Sequence, residues 1–166
     1  MIIRMIREDD AEQYLQLQKT IAGETSFMLR DPDEITETVE QLRASIARVL
    51  SQEYLASFVA EHDGQLVGFL RATGSNLRRI KHKVYIVIGI LQAFTGQGVG
   101  TNLFIEMEQW ARQRGMTRLE LTVMEHNQAG IALYKKRGFV IEGTQSHAFF
   151  IDGRYVDEYL MGKLLS

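Results

Sequence analysis

The chain has 166 residues, 45% of them hydrophobic, a size and composition that suit one domain with a self-sustaining core over residues 1–166. Its 19 Lys and Arg against 21 Asp and Glu leave a formal charge of −2, which gives no general attraction to nucleic acid or to an anionic membrane. The absence of cysteine excludes disulfides, cysteine-liganded zinc and a cysteinyl acyl-enzyme, and it is compatible with a reducing compartment.

Met1 to Glu8 lacks the basic region and long apolar core of a signal peptide, so a cytoplasmic chain is expected. A strand is predicted at Ile2–Arg7, then a helix from about Asp9 to Ala22 and a loop at Gly23–Arg30. Pro32, the single proline, suits a first helical position behind Asp31 as cap. Ile35, Val39, Leu42, Ile46 and Val49 recur at the helical period and predict a helix over Asp33–Leu50. Ala56–Glu61 and Gln65–Thr73 flank Asp63-Gly64, a hairpin signal.

After the turn at Gly74-Ser75-Asn76 comes the one basic run, Arg78 to Lys83, which reads as a solvated turn rather than a nucleic-acid contact. Val84 to Leu91 is apolar and β-branched, and Val99, Leu103, Met107, Trp110 and Ala111 predict a helix ending near Arg114. A strand at Arg118–Val123, a helix capped by Asn127 and stopped by Gly138, and two strands at Val140–Ile151 and Arg154–Lys163 about Asp152-Gly153 complete the chain. The order β, α, α, β, β, β, α, β, α, β, β implies an α/β fold on a mixed sheet.

The functional signal starts at Gly96-Gln97-Gly98-Val99-Gly100-Thr101, between a strand and a helix. Glycine leaves the backbone N–H groups accessible, and a helix N-terminus adds unpaired donors and a positive dipole end, so an anion suits this turn. No lysine follows the last glycine, against a nucleotide P-loop, and the spacing of the third glycine fails the dinucleotide fingerprint. A ligand-free glycine turn is the plain alternative. Downstream, Asn127 and Tyr134 are seven residues apart, on one helix face about 10 Å from each other at 1.5 Å per residue. Alone, they read as a cap and a half-buried aromatic.

Together the two clusters resemble the GNAT superfamily of acyl-CoA-dependent N-acetyltransferases. Its pyrophosphate loop, Arg or Gln, x, x, Gly, x, Gly or Ala, aligns with Thr95 to Gly100, and its Asn-to-Tyr stretch ending in Gly-Phe aligns with Asn127 to Phe139. Thr95 stands where a basic or amide side chain is usual, which removes one side-chain contact near the phosphates and leaves the backbone cradle. The likeness is strong over residues 80 to 140, and it implies a central mixed, mostly antiparallel sheet flanked by helices.

The resemblance implies transfer of an acetyl group from acetyl-CoA to a primary amine of a small molecule by direct attack in a ternary complex, with no metal, nucleic acid or membrane involved. The backbone near Ile90 would hold the thioester and pantetheine arm. Amides at Gly96, Gly98, Val99, Gly100 and Thr101, beside Thr95, would hold the pyrophosphate, Asn127 the pantetheine arm, and Tyr134 would be the general acid. Val84 to Leu91 carries no carboxylate to serve as base, so Glu24, in the loop bordering the acceptor site in this family, is the leading candidate, with a water chain as substitute. Glu120 reads as an exposed strand residue, and His82 lies about 26 Å from Ile90 along an extended strand. Phe27, Met28, Phe149, Phe150 and Tyr155 belong to the core, to an apolar acceptor wall or to a contact in a possible homodimer. A peptide N-terminal acetyltransferase and a non-catalytic acyl-CoA sensor are the competing functions.

Overall fold

The computed structural model describes residues 1–166, and its sheet alternation divides the core into two halves. Strands β1 (Ile2–Met5), β2 (Leu55–His62), β3 (Gln65–Thr73), β4 (Lys83–Ile90), β5 (Arg118–Met124), β6 (Val140–Ile151) and β7 (Arg154–Leu164) form one sheet in the order β1-β2-β3-β4-β5-β7-β6. Helices are α1 (Ala11–Glu24), α2 (Val39–Ser51), α3 (Val99–Gln113) and α4 (Gln128–Lys136). The expected element order is the observed one. Every neighbouring pair is antiparallel except β4 and β5, so the mixed, mostly antiparallel sheet is as expected.

Successive side chains on a strand point to opposite faces. On one face Leu119, Leu121 and Val123 of β5 pack with Leu103, Phe104 and Met107 of α3 and Ile131 of α4. On the other, Val59 and Phe69 pack with Tyr14, Leu17 and Ile21 of α1 and Leu42 and Ile46 of α2. Burying a side chain such as Phe104 stabilises the fold by about 1.5–3 kcal/mol, so α3 is held firmly to the sheet.

The start of α1 is tied down by charge. The Arg4 guanidinium donates to both oxygens of Asp10 at 2.8 and 2.9 Å and to Glu61 of β2 at 2.9 Å, and the Arg7 N–H reaches Asp10 at 2.7 Å. Burial alone would push the Asp10 carboxyl up, but the donors from Arg4 and Arg7 outweigh it and hold the group below its ordinary value.

Two predicted helix limits need correction. Helix α1 continues through Gly23 to Glu24, where a loop was expected to begin. The helix expected over Asp33–Leu50 is two pieces: a single turn at Pro32–Glu34, then α2 from Val39. Ile35 between them has φ −85 and ψ 92 and is buried under α1 and α2, so tertiary burial overrides its helical spacing. Thr38 restarts the helix by a capping box, accepting from the Gln41 N–H at 3.1 Å while Gln41 accepts from the Thr38 N–H at 3.0 Å.

The sheet is split at its centre. Strand β4 pairs with β3 from Tyr85 to Ile90 but with β5 only from Lys83 to Tyr85. Beyond Tyr85 the two parallel strands diverge, leaving the β4 edge from Ile86 to Ile90 without a partner strand on that side. The last contact across the gap joins the Tyr85 hydroxyl to the Thr122 hydroxyl at 2.8 Å.

Candidate active site

Helix α3 begins where β4 ends. Gly98 is its N-cap, with φ +84, and Gly96 has φ +73; both adopt left-handed backbone that glycine reaches without a Cβ penalty. Gly100 has a different task, because a Cβ there would lie 2.7 Å from Leu133 Cδ2, so its small size lets α3 and α4 pack closely. The consequence of this turn is electrostatic. None of the six N–H groups from Gly96 to Thr101 donates to a protein acceptor, whereas Asn102 resumes the helical pattern with Gly98. Six adjacent free donors at a helix N-terminus form a cradle for an anion.

The cradle opens into a cavity of about 650 Å³ running beside the β4 edge, bordered by Ile90, by Thr95 to Thr101 except Gln97, and by Asn127 and Tyr134. An extended ligand with an anionic segment fits these surroundings, the amides meeting the charge and the β4 edge meeting an amide-bearing arm. The Thr95 hydroxyl is engaged elsewhere, donating to the Gln92 carbonyl at 2.8 Å. Lys136, the exposed last residue of α4, borders the same cavity and is not among the residues singled out from the sequence.

Helix α4 contributes the two residues expected of it. The Asn127 side chain caps the helix, its Oδ1 accepting from the Gly130 N–H at 3.0 Å, and it also lines the cavity, so cap and contact reside in one residue. Tyr134 is buried against Phe104 and Phe139, with ring centroids at 5.8 and 6.2 Å. Burial, with a smaller contribution from Tyr85, pushes its phenol up to about 12, so the hydroxyl stays protonated through the neutral range.

A second cavity, of about 540 Å³, lies on the α1 face of the sheet and shares Phe27, Met28, Ile88, Asn127 and Tyr134 with the first. Residues 27–30 and α1 roof it, Arg71 of β3 and Glu158 of β7 stand on its walls, and Phe149 closes one side. Of the five residues considered for an acceptor wall, Phe27, Met28 and Phe149 line this space, while Phe150 and Tyr155 are exposed on the β6–β7 hairpin. Sequence reasoning missed Arg71 and Glu158; Arg71 could have been found as a lone charge inside a largely apolar strand, whereas Glu158, among Arg154, Asp157 and Lys163 in β7, gave no such signal.

Glu24 borders the first cavity and not the second. Its Oε2 accepts from the Gln92 N–H at 2.8 Å, fastening the end of α1 to the turn that follows β4. Glu120 forms ion pairs with Lys83 at 3.5 Å and Arg118 at 3.0 Å, away from both cavities. The basic run is an exposed turn whose His82 carbonyl accepts from the Thr117 and Arg118 N–H groups at 2.8 and 3.1 Å, setting the start of β5. No group of three His, Cys, Asp or Glu side chains is arranged to hold a metal, and no helix is long and apolar enough to cross a membrane.

Comparison with known proteins places the chain among acetyltransferases. The pattern of the family described as acetyltransferase (GNAT) matches residues 10–139. The chain is 33% identical over 121 residues, 70% of its length and 73% of the relative's, to the L-amino acid N-acetyltransferase AaaT of Escherichia coli (strain K12). It is 30% identical to the phosphinothricin N-acetyltransferase of Alcaligenes faecalis over 99% of this chain and 82% of that one. Among solved structures, an acetyltransferase of the GNAT family from Streptococcus pneumoniae superposes with a TM-score of 0.95 at 32% identity, covering 99% of both chains.

Proposed function

The chain belongs to the GNAT acetyltransferase family, as an acyl-CoA-dependent N-acetyltransferase with acetyl-CoA as co-substrate, and on that premise we propose that it acetylates a primary amine of a small molecule by direct attack. One observation carries the reading: the two cavities adjoin, sharing Phe27, Met28, Ile88, Asn127 and Tyr134 in their lining, so donor and acceptor can be held at once. The names of the relatives, which act on amino acids and phosphinothricin, support a small acceptor.

Acetyl-CoA supplies the thioester. The free amides from Gly96 to Thr101 bind its pyrophosphate, and Lys136 adds positive charge where Thr95 supplies none. The unpaired edge of β4 near Ile90 binds the pantetheine arm, and a β4 N–H stabilises negative charge on the carbonyl oxygen, an effect of about 3 kcal/mol for one donor. Asn127 holds the arm through its side-chain amide, whose oxygen is already engaged by Gly130. As nitrogen bonds to the carbonyl carbon and the C–S bond breaks, Tyr134 protonates the sulfur; a proton lost from nitrogen restores the phenol. Glu24 acts as a positioning residue through its bond to Gln92.

The reading extends to one catalytic domain over residues 1–166, to a cytoplasmic location and to pairing of two copies through the β6–β7 hairpin, which exposes Ile141, Phe150 and Tyr155. Calorimetric titration with acetyl-CoA, ATP and NAD, followed by thiol release with amines on the same sample, tests the function. Selective acetyl-CoA binding with amine-dependent thiol release is expected. Binding without release to any amine would instead mark an acyl-CoA sensor.

A further inference from the structure

The acceptor cavity holds one unsatisfied charge of each sign. Arg71 is half-buried in β3, its guanidinium 5.5 Å from the centroid of the Phe69 ring, with no hydrogen bond and no carboxylate at ion-pair distance. Glu158 of β7 is 9% exposed, lines the same cavity, and likewise has no side-chain hydrogen bond or ion pair. Arg30, the other cation on the cavity wall, is already paired with Glu37. Their charged ends are not sealed from water, so a ligand that fills the cavity must compensate both charges as it displaces that water.

Their placement follows from register. Arg71 pairs with Val87 of β4, and Glu158 pairs with Met124 of β5, so the two stand on opposite sides of the central split. At about 4.8 Å per strand, their backbones are at least about 14 Å apart, with the cavity between them.

We propose that the acceptor is an amine that also bears an anionic group, as an amino acid does, with Arg71 binding the anion and Glu158 binding the ammonium and taking its proton. The assignment rests on the acetyltransferase reading above and narrows it. The incoming ammonium gives one proton to the Glu158 carboxylate, and the freed lone pair forms the C–N bond. The C–S electron pair leaves on sulfur, which takes the Tyr134 proton, and nitrogen returns a second proton to Tyr134. Glu158 releases its proton to solvent as the amide departs. A polyamine offers no anion to Arg71 and brings several cations to a single free carboxylate, so this cavity disfavours it.

The test uses the full chain with saturating acetyl-CoA and thiol release as the readout. Acceptors are L-amino acids with acidic, apolar and basic side chains, each beside its methyl ester and its decarboxylated amine, and spermidine. For the wild type, kcat/KM for the preferred amino acid should exceed that for its ester, its decarboxylated amine and spermidine by about 10- to 100-fold, the range for a lost hydrogen bond to a charged group. Arg71→Gln should remove that margin chiefly by raising KM, Arg71→Lys should restore part of it, and Glu158→Gln should lower kcat. A wild-type preference for spermidine or the esters overturns the proposal while leaving the acetyltransferase reading intact, as does a margin unchanged in Arg71→Gln. Acetyl-CoA binding with no thiol release for any amine overturns the reading beneath it.

Discussion

The two sides of the active site are built from different materials. The cofactor side is mostly backbone: six amides released by a glycine turn, the open edge of β4 and the start of one helix. The acceptor side is mostly side chain, assembled from α1, the segment after it, β3, β5 and β7. Backbone donors are available to any sequence that makes the turn, so this side suits a co-substrate common to a whole family. Side chains on a rigid sheet can be exchanged one at a time without disturbing the fold, so the acceptor side is where specificity resides.

Tyr134 stands where the sides meet and gives the largest expected effect. Tyr134→Phe keeps the ring packing against Phe104 and Phe139 and removes the proposed acid, so kcat should fall by about 100-fold or more with little change in acetyl-CoA affinity. Thiol release and calorimetry on the same variant measure both, and an equal loss in both would make Tyr134 a cofactor contact.

The acceptor roof depends on the Arg4–Asp10 clasp beneath α1. Asp10→Ala leaves Arg4 with Glu61 as its one remaining carboxylate partner and should destabilise the fold by about 1.5–3 kcal/mol in denaturant titration, the range for lost hydrogen bonds between charged groups. Because the Asp10 carboxyl is held below its ordinary value, its contribution is present above the unfolded value of about 3.9 and is lost as pH falls through the folded one. The wild type should therefore lose stability on acidification below about pH 4 more steeply than Asp10→Ala.

On the cofactor side the effects shrink, and their pattern tests whether backbone dominates. Gly98→Ala forces a side chain into left-handed backbone, at about 1–2 kcal/mol, and should weaken acetyl-CoA while leaving acceptor KM unchanged. Thr95→Val removes only the hydroxyl bond to the Gln92 carbonyl, about 0.5–1 kcal/mol of stability, with acetyl-CoA affinity nearly unaltered. A tenfold affinity loss in Thr95→Val would instead show that this side relies on side chains.

The same contrast explains what could be read from sequence. The glycine turn, the Asn127 cap and the Tyr134 spacing are local, and each lies within a single strand-to-helix unit, so their signals survive in one dimension. The break before α2 was legible too, in Thr38 and Gln41, but the spacing of Ile35 masked it. Arg71 and Glu158 are 87 positions apart and meet one cavity only because β4 and β5 diverge beyond Tyr85, a property of sheet pairing with no local signature. Glu24 shows the reverse case: expected in a loop beside the acceptor, it ends α1 and borders only the first cavity, and the direction of its carboxylate, toward Gln92, depends on a contact 68 residues away.

The central claim is that both cavities are filled at once around Tyr134. Initial rates of thiol release over a grid of acetyl-CoA and acceptor concentrations test it most directly. Double-reciprocal lines that intersect are predicted, since both substrates must be present before the acetyl group moves. Parallel lines, with acetyl-CoA cleaved and its thiol released before the amine binds, would contradict it.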